Sequence, residues 1–182
     1  MATKLPLTVG HWMASRVSVL LVVGLLATSA WAIDTPNERI TLVGLTGVHL
    51  AFDEIGDEGE RHGVSRARLQ PEVERRLERA GLRVLTPTEA LRSVGRPTLH
   101  LRISVLRVPD AADFHVYSID LALRQQVWLV RDRAIESYAV TWSEHRAVGA
   151  ARANQLGVVR NVLVTKVEEF VAAWRVSNRE RY

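Results

Sequence analysis

No cysteine occurs in the 182 residues. For an exported protein that excludes a disulfide staple, so stability has to come from a packed core, which a chain of this length can supply as one domain. It also excludes a nucleophilic thiol and the lipidated cysteine that anchors a bacterial lipoprotein. Lysine is almost as scarce: after residue 32 only Lys166 remains, and arginine carries the positive charge. Those arginines are interleaved with glutamate, which describes a solvated surface of mixed sign and argues against a nucleic-acid-binding stripe. GxSxG, HExxH and glycine-rich phosphate-loop patterns are missing as well. The sequence gives no ground for expecting an enzyme, a catalytic residue or a cofactor.

Apolar runs are confined to the amino terminus, where Val17 to Ala27 follows Lys4 and Arg16 and leads into Ala30-Trp31-Ala32. The run is about half of the roughly 20 residues that a spanning helix requires. With its small-x-small ending it reads as a signal peptide, residues 1–32, cut after Ala32. A retained membrane anchor is the alternative. Two of the 24 Lys+Arg residues fall in this leader, which leaves 22 against 20 Asp+Glu. Ile33 follows the cut, so the expected mature protein, residues 33–182, is soluble and periplasmic, without a lipid anchor or a membrane span.

Apolar periodicity then predicts the elements. Ile40 to Phe52 alternates with apolar residues on both faces and reads as a central strand, with Gly44 and Gly47 marking a bulge or a close neighbour. Leu69, Val73, Leu77 and Ala80 recur at helical spacing, with Pro71 assigned to the first turn, Gly81 as the stop, and Glu72, Arg75 and Arg76 on a solvated face. Leu82 to Leu85 is a short strand. Thr86, Pro87 and Glu89 form a capping box that starts a small helix.

Leu99, Leu101, Ile103 and Val105 alternate with polar residues, Pro109 to Asp113 turns the chain, and Tyr117, Ile119, Leu121, Leu123, Val127 and Leu129 line one face of a long strand. After a second turn, Tyr138, Val140 and Trp142 share a face of a third strand, completing an antiparallel meander. Leu156, Val159, Leu163, Val167, Phe170 and Trp174 stripe a closing helix. The expected fold is α+β: one mainly antiparallel sheet, β-α-β-α-β-β-β-α along the chain, with two main helices packed on a face and a core spanning 40–175.

The densest cluster of potential ligands is FDEIGDEGERHG, Phe52 to Gly63, with six acidic or imidazole side chains in twelve residues. A calcium loop counted from Asp53 fails, because the third, sixth and twelfth positions are Ile55, Glu58 and Val64. A transition-metal site from His49, Asp53, Glu58 and His62 is conceivable, but no ligand spacing matches a template. The segment reads as a solvated loop that binds no metal tightly. His100, His115 and His145 read as satisfied surface or half-buried histidines. Ser143-Glu144-His145 cannot form a relay, since neighbours on a strand point to opposite faces.

Among the aromatics, Tyr117, Trp128, Tyr138 and Trp142 could form a stacking platform. Trp128 falls on the face opposite Tyr117, Leu121 and Leu129, beside Arg124, Gln126 and Val130. Arg124, Gln126 and Trp128 are therefore the candidate partner contact, since Trp and Arg concentrate at interface hot spots.

The order of elements from Ile40 to Arg175, carried by LVGLTGVHLAF, AGLRVLT, TLHLRISVLRV, the meander and VVRNVLVTKVEEFVAAWRVSN, resembles the small α/β domains of Gram-negative envelope-assembly proteins of LptE-like, TolB amino-terminal and CsgG-like topology. The resemblance implies a non-catalytic periplasmic binding or accessory protein whose partner is another envelope protein. A small-ligand or metal-binding protein is the alternative, and a hydrolase comes after it.

Overall fold

Alternation after Thr98 produces three long strands, and the sheet they form organises everything else. The computed structural model describes residues 36–179 apart from Glu54 and His145; the expected leader and its cut after Ala32 lie outside them. In chain order the elements are α1 (Pro36–Arg39), a 3-10 turn (Ile40–Leu42), β1 (Gly47–Phe52), α2 (Asp57–Arg61), α3 (Arg66–Arg79), β2 (Arg83–Leu85), α4 (Pro87–Arg92), β3 (Thr98–Val108), β4 (Ala111–Leu129), β5 (Asp132–Ser143), β6 (Ala147–Arg152), a second 3-10 turn (Ala153–Gln155) and α5 (Val158–Asn178). The strands form one sheet in the order β2-β1-β3-β4-β5, with β6 also on β4. β1 runs parallel to β2 and β3, and every other pairing is antiparallel. The fold is the α+β arrangement that the periodicities predict.

One face of the sheet is the core. Leu99, Leu101, Ile103 and Val105 on β3 lie opposite Leu123, Leu121, Ile119 and Tyr117 on β4, and Leu50 and Phe52 extend the layer across β1. Leu69, Val73 and Leu77 of α3 and Val159, Leu163, Val167, Phe170 and Trp174 of α5 are buried with them. Each such side chain contributes about 1.5–3 kcal/mol by leaving water. Phe170 sits against Trp142, ring centroids 5.0 Å apart.

The carboxyl end of α5 is fixed by polar contacts as well. Trp174 Nε1 donates to Leu45 O at 2.8 Å, and the buried Asn178 donates to Leu42 O at 2.9 Å while accepting from Gly44 N at 2.8 Å. Gly44 has φ +78°, which glycine adopts without strain.

The two main helices are also joined at their surface. Glu72 accepts two bonds of 2.6 Å from Arg160 of α5 and one of 3.1 Å from Arg76. The charged side of α3 is thus a bridge to α5 as well as a solvated face. Burial raises the Glu72 carboxyl, but the guanidinium hydrogen bonds outweigh it and leave the group below the ordinary carboxylate value.

Five local expectations change. The strand predicted from Ile40 begins only at Gly47, because Ile40–Leu42 turns as a 3-10 helix; Gly47 marks a close neighbour, since a Cβ there would lie 2.9 Å from Leu85 Cδ2. Pro71 lies inside α3 and not in its first turn, because the helix starts at Arg66. Its exposed position lets the lost backbone bond be replaced by water.

The acidic segment predicted as a solvated loop forms α2 instead, held by the buried Ile55, Gly59 and Val64. A bulge opposite Leu123 and Arg124 turns Trp142 into the core while Tyr138 and Val140 face the other way, so the three do not share a face. Finally, β6 pairs along the same strand β4 as β5, whose pairing ends at Ser143, and starts at Ala147. By contrast, the Thr86 capping box and the Gly81 stop at φ +93° form as predicted.

Candidate functional site

The even-numbered side chains of β3 and β4 point away from the core, and no main helix covers them. The small helix α4 packs at the β1–β2 end of the sheet. This open face carries an ionic centre: Asp53 pairs with Arg102 at 2.6 Å and His100 at 3.3 Å, and Asp120 pairs with Arg146 at 2.6 Å.

On either side of that centre the face is apolar. At one end Leu106, Phe114, Val116 and Val148 are exposed, with the Arg152 guanidinium 5.3 Å above the Phe114 ring. At the other end stand Trp128, Tyr138 and Val140. A sheet face left to water is ordinarily polar. Here seven large apolar side chains share it.

The predicted contact residues fall on this face. Arg124, Gln126 and Trp128 lie opposite Val140, Tyr138 and Glu136 on β5. Trp128 is 53% exposed, and its indole N–H donates to Glu136 Oε1 at 3.0 Å. Gln126 donates to the other Glu136 oxygen. Glu136 therefore orients both side chains. Arg124 is exposed and has no ion-pair partner among the described residues.

Sequence reading missed Leu106, Phe114, Val116 and Val148, although Leu106 breaks the polar series His100, Arg102, Ser104 and Phe114 and Val116 occupy even positions. Those breaks were the available signal.

A second constellation lies on the helix side. Glu58 of α2, His62 at its carboxyl cap and His115 of β4 bring three potential ligand atoms within 4.8 Å of one another. His115 Nε2 is 2.7 Å and His62 Nε2 3.3 Å from the same oxygen, Glu58 Oε1. The imidazoles meet edge to face with centroids 4.7 Å apart. Arg61 donates to Glu58 Oε2 at 2.6 Å. The His115 hydrogen bond, aided by the Arg61 charge and opposed by desolvation, holds the Glu58 carboxyl below the ordinary carboxylate value.

Of the four side chains weighed from the sequence as a metal set, only Glu58 and His62 come together. His49 faces Leu85 O at 3.0 Å, and Asp53 is engaged on the opposite side of the sheet. His115 is not the satisfied surface or half-buried histidine expected: it is 1% exposed, and its Nδ1 has no hydrogen-bond partner among the described residues. Its odd position, in register with Tyr117, Ile119, Leu121 and Leu123, is the signal that assigns it to the core side. His145 lies outside the described residues.

No protein-family model matches this chain, and no curated protein or solved structure matches it significantly.

Proposed function

We propose that this chain is a non-catalytic binding protein of the cell envelope that works after export, by seating its open sheet face on another envelope protein. The observation that carries the reading is the gathering of Leu106, Phe114, Val116, Trp128, Tyr138, Val140 and Val148 on one face. Singly exposed apolar residues are normal on a monomer, whereas several on one face mark a contact surface. Trp128 and Arg124 add the residue types that dominate interface energetics. The matching partner surface offers apolar side chains beside carboxylates, because Arg124 lacks an ion-pair partner among the described residues and gains one on association.

Export is supported by the short apolar run and the Ala30-Trp31-Ala32 sequence. No described helix is long and apolar enough to cross a membrane. The element order that resembles small envelope-assembly domains adds fold-level analogy.

Affinity recovery from an envelope extract tests the reading, using the wild-type chain beside a Trp128→Ser, Arg124→Ser variant. One protein recovered with the wild type and reduced at least about tenfold with the variant is the expected result, since losing two hot-spot residues exceeds about 1.4 kcal/mol. Equal recovery by two equally folded proteins would remove the open face from the account.

A further inference from the structure

We infer that Glu58, His62 and His115 form a binding site for a divalent transition-metal ion of the zinc class. Two imidazoles and one carboxylate are a donor set that holds such ions through three protein ligands, with the fourth position left to water. The donors come from rigid elements: His115 lies where β4 is paired on both sides, to Arg107 and to Ala151. Glu58 and His62 are one helical turn apart and share a face of α2. A Cβ at Gly59 would lie 2.6 Å from Ile55 Cγ2, so α2 is pressed against its own support.

Two of the three ligand separations are close to what an ion needs, and all three lie within 4.8 Å. Ligand atoms bound tetrahedrally at about 2.0–2.2 Å lie roughly 3.3–3.6 Å apart. Glu58 Oε1 is already 3.3 Å from His62 Nε2 and 2.7 Å from His115 Nε2. An ion replaces the hydrogen bond between Glu58 and His115 by opening that pair by less than about 1 Å. Arg61 holds Oε2 at 2.6 Å, which turns Oε1 towards the imidazoles as an outer-shell partner does.

His115 itself is the second observation. The ring is 1% exposed, and its Nε2 is aimed at Glu58 Oε1 at 2.7 Å, so the proposed ligand atom is held out of bulk water beside a carboxylate. Among the described residues, its polar contact is the carboxylate shared with His62. The Glu58 and His62 side chains remain 16% and 28% exposed, so an ion reaches them from solvent. Once bound, it ties α2 to β4.

The purified chain, freed of metal with a chelator, is titrated calorimetrically with zinc chloride and followed by absorption with cobalt(II). A single ion per chain, a micromolar or tighter dissociation constant, visible cobalt bands of a four-coordinate site and a raised unfolding temperature are expected. His62→Ala alters a partly exposed side chain and leaves the fold intact, yet should weaken zinc at least about tenfold, as should Glu58→Gln. His100→Ala, on the other sheet face, should bind like wild type. No binding to the folded wild type, or binding unchanged in both His62→Ala and Glu58→Gln, would overturn the proposal.

Discussion

The two faces of this sheet are written in the same alternating code but answer to different demands. On the helix side, Leu99, Leu101, Ile103 and Val105 and their partners Leu123, Leu121, Ile119 and Tyr117 are buried in one core with the apolar stripes of α3 and α5. On the open side, Leu106, Val116, Trp128 and Val148 are exposed, and the fold as described does not require them. An apolar residue can thus serve stability on one face and recognition on the other. Substitutions on the two faces should separate these roles.

Phe170→Ala should produce the largest effect. The ring is fully buried against Trp142, and its removal should cost about 3–5 kcal/mol, read as a lower midpoint in urea unfolding. A wild-type midpoint would mean that α5 is not docked as described.

Asn178→Leu comes next. It strands the Leu42 carbonyl and the Gly44 N–H, both now bonded to the buried amide, at about 1–3 kcal/mol. The same denaturation experiment checks it, and a neutral outcome would show that water replaces those bonds.

A smaller effect is expected from the bridge between α3 and α5. Because the folded Glu72 carboxyl lies below its ordinary value of 4.5, its stabilisation is present above that value and is lost as pH falls through the lowered folded one. Glu72→Gln should therefore flatten the acid limb of stability against pH below about 4.5. An unchanged acid limb would assign the pairs with Arg160 and Arg76 no net role.

The smallest stability effect should come from Trp128→Ser, within about 0.5 kcal/mol, because the side chain is largely exposed and its loss opens no cavity. A large shift in midpoint would erase the distinction between the two faces.

The elements that were legible in the sequence are those whose side chains repeat with a strong period. The stripe Val159, Leu163, Val167, Phe170 and Trp174 gave the closing helix, and the box Thr86, Pro87, Glu89 gave the start of α4. β6 was not legible, since Ala147–Arg152 holds three alanines and a glycine around Val148 and so carries no strong apolar alternation. Gly149 is required there because a Cβ would lie 2.4 Å from the Tyr117 hydroxyl, a contact visible only after the strands pair.

The bulge that separates Trp142 from Tyr138 and Val140 is likewise a property of two strands together. At the candidate sites, Trp128 was placed on its face by parity alone. The grouping of Glu58 and His62 with His115 was not, because these partners are 57 residues apart for Glu58 and meet only through the packing of α2 on the sheet.

The central claim is that the open face is covered by a partner in the cell. Photo-crosslinking in the host measures this most directly, with a photoreactive residue placed singly at Gln126, Val148 or, on the exposed outer side of α5, Glu168. A discrete adduct of one mass from positions 126 and 148, with none from 168, is the predicted result. No adduct from either open-face position, or the same adduct from all three, would contradict the account.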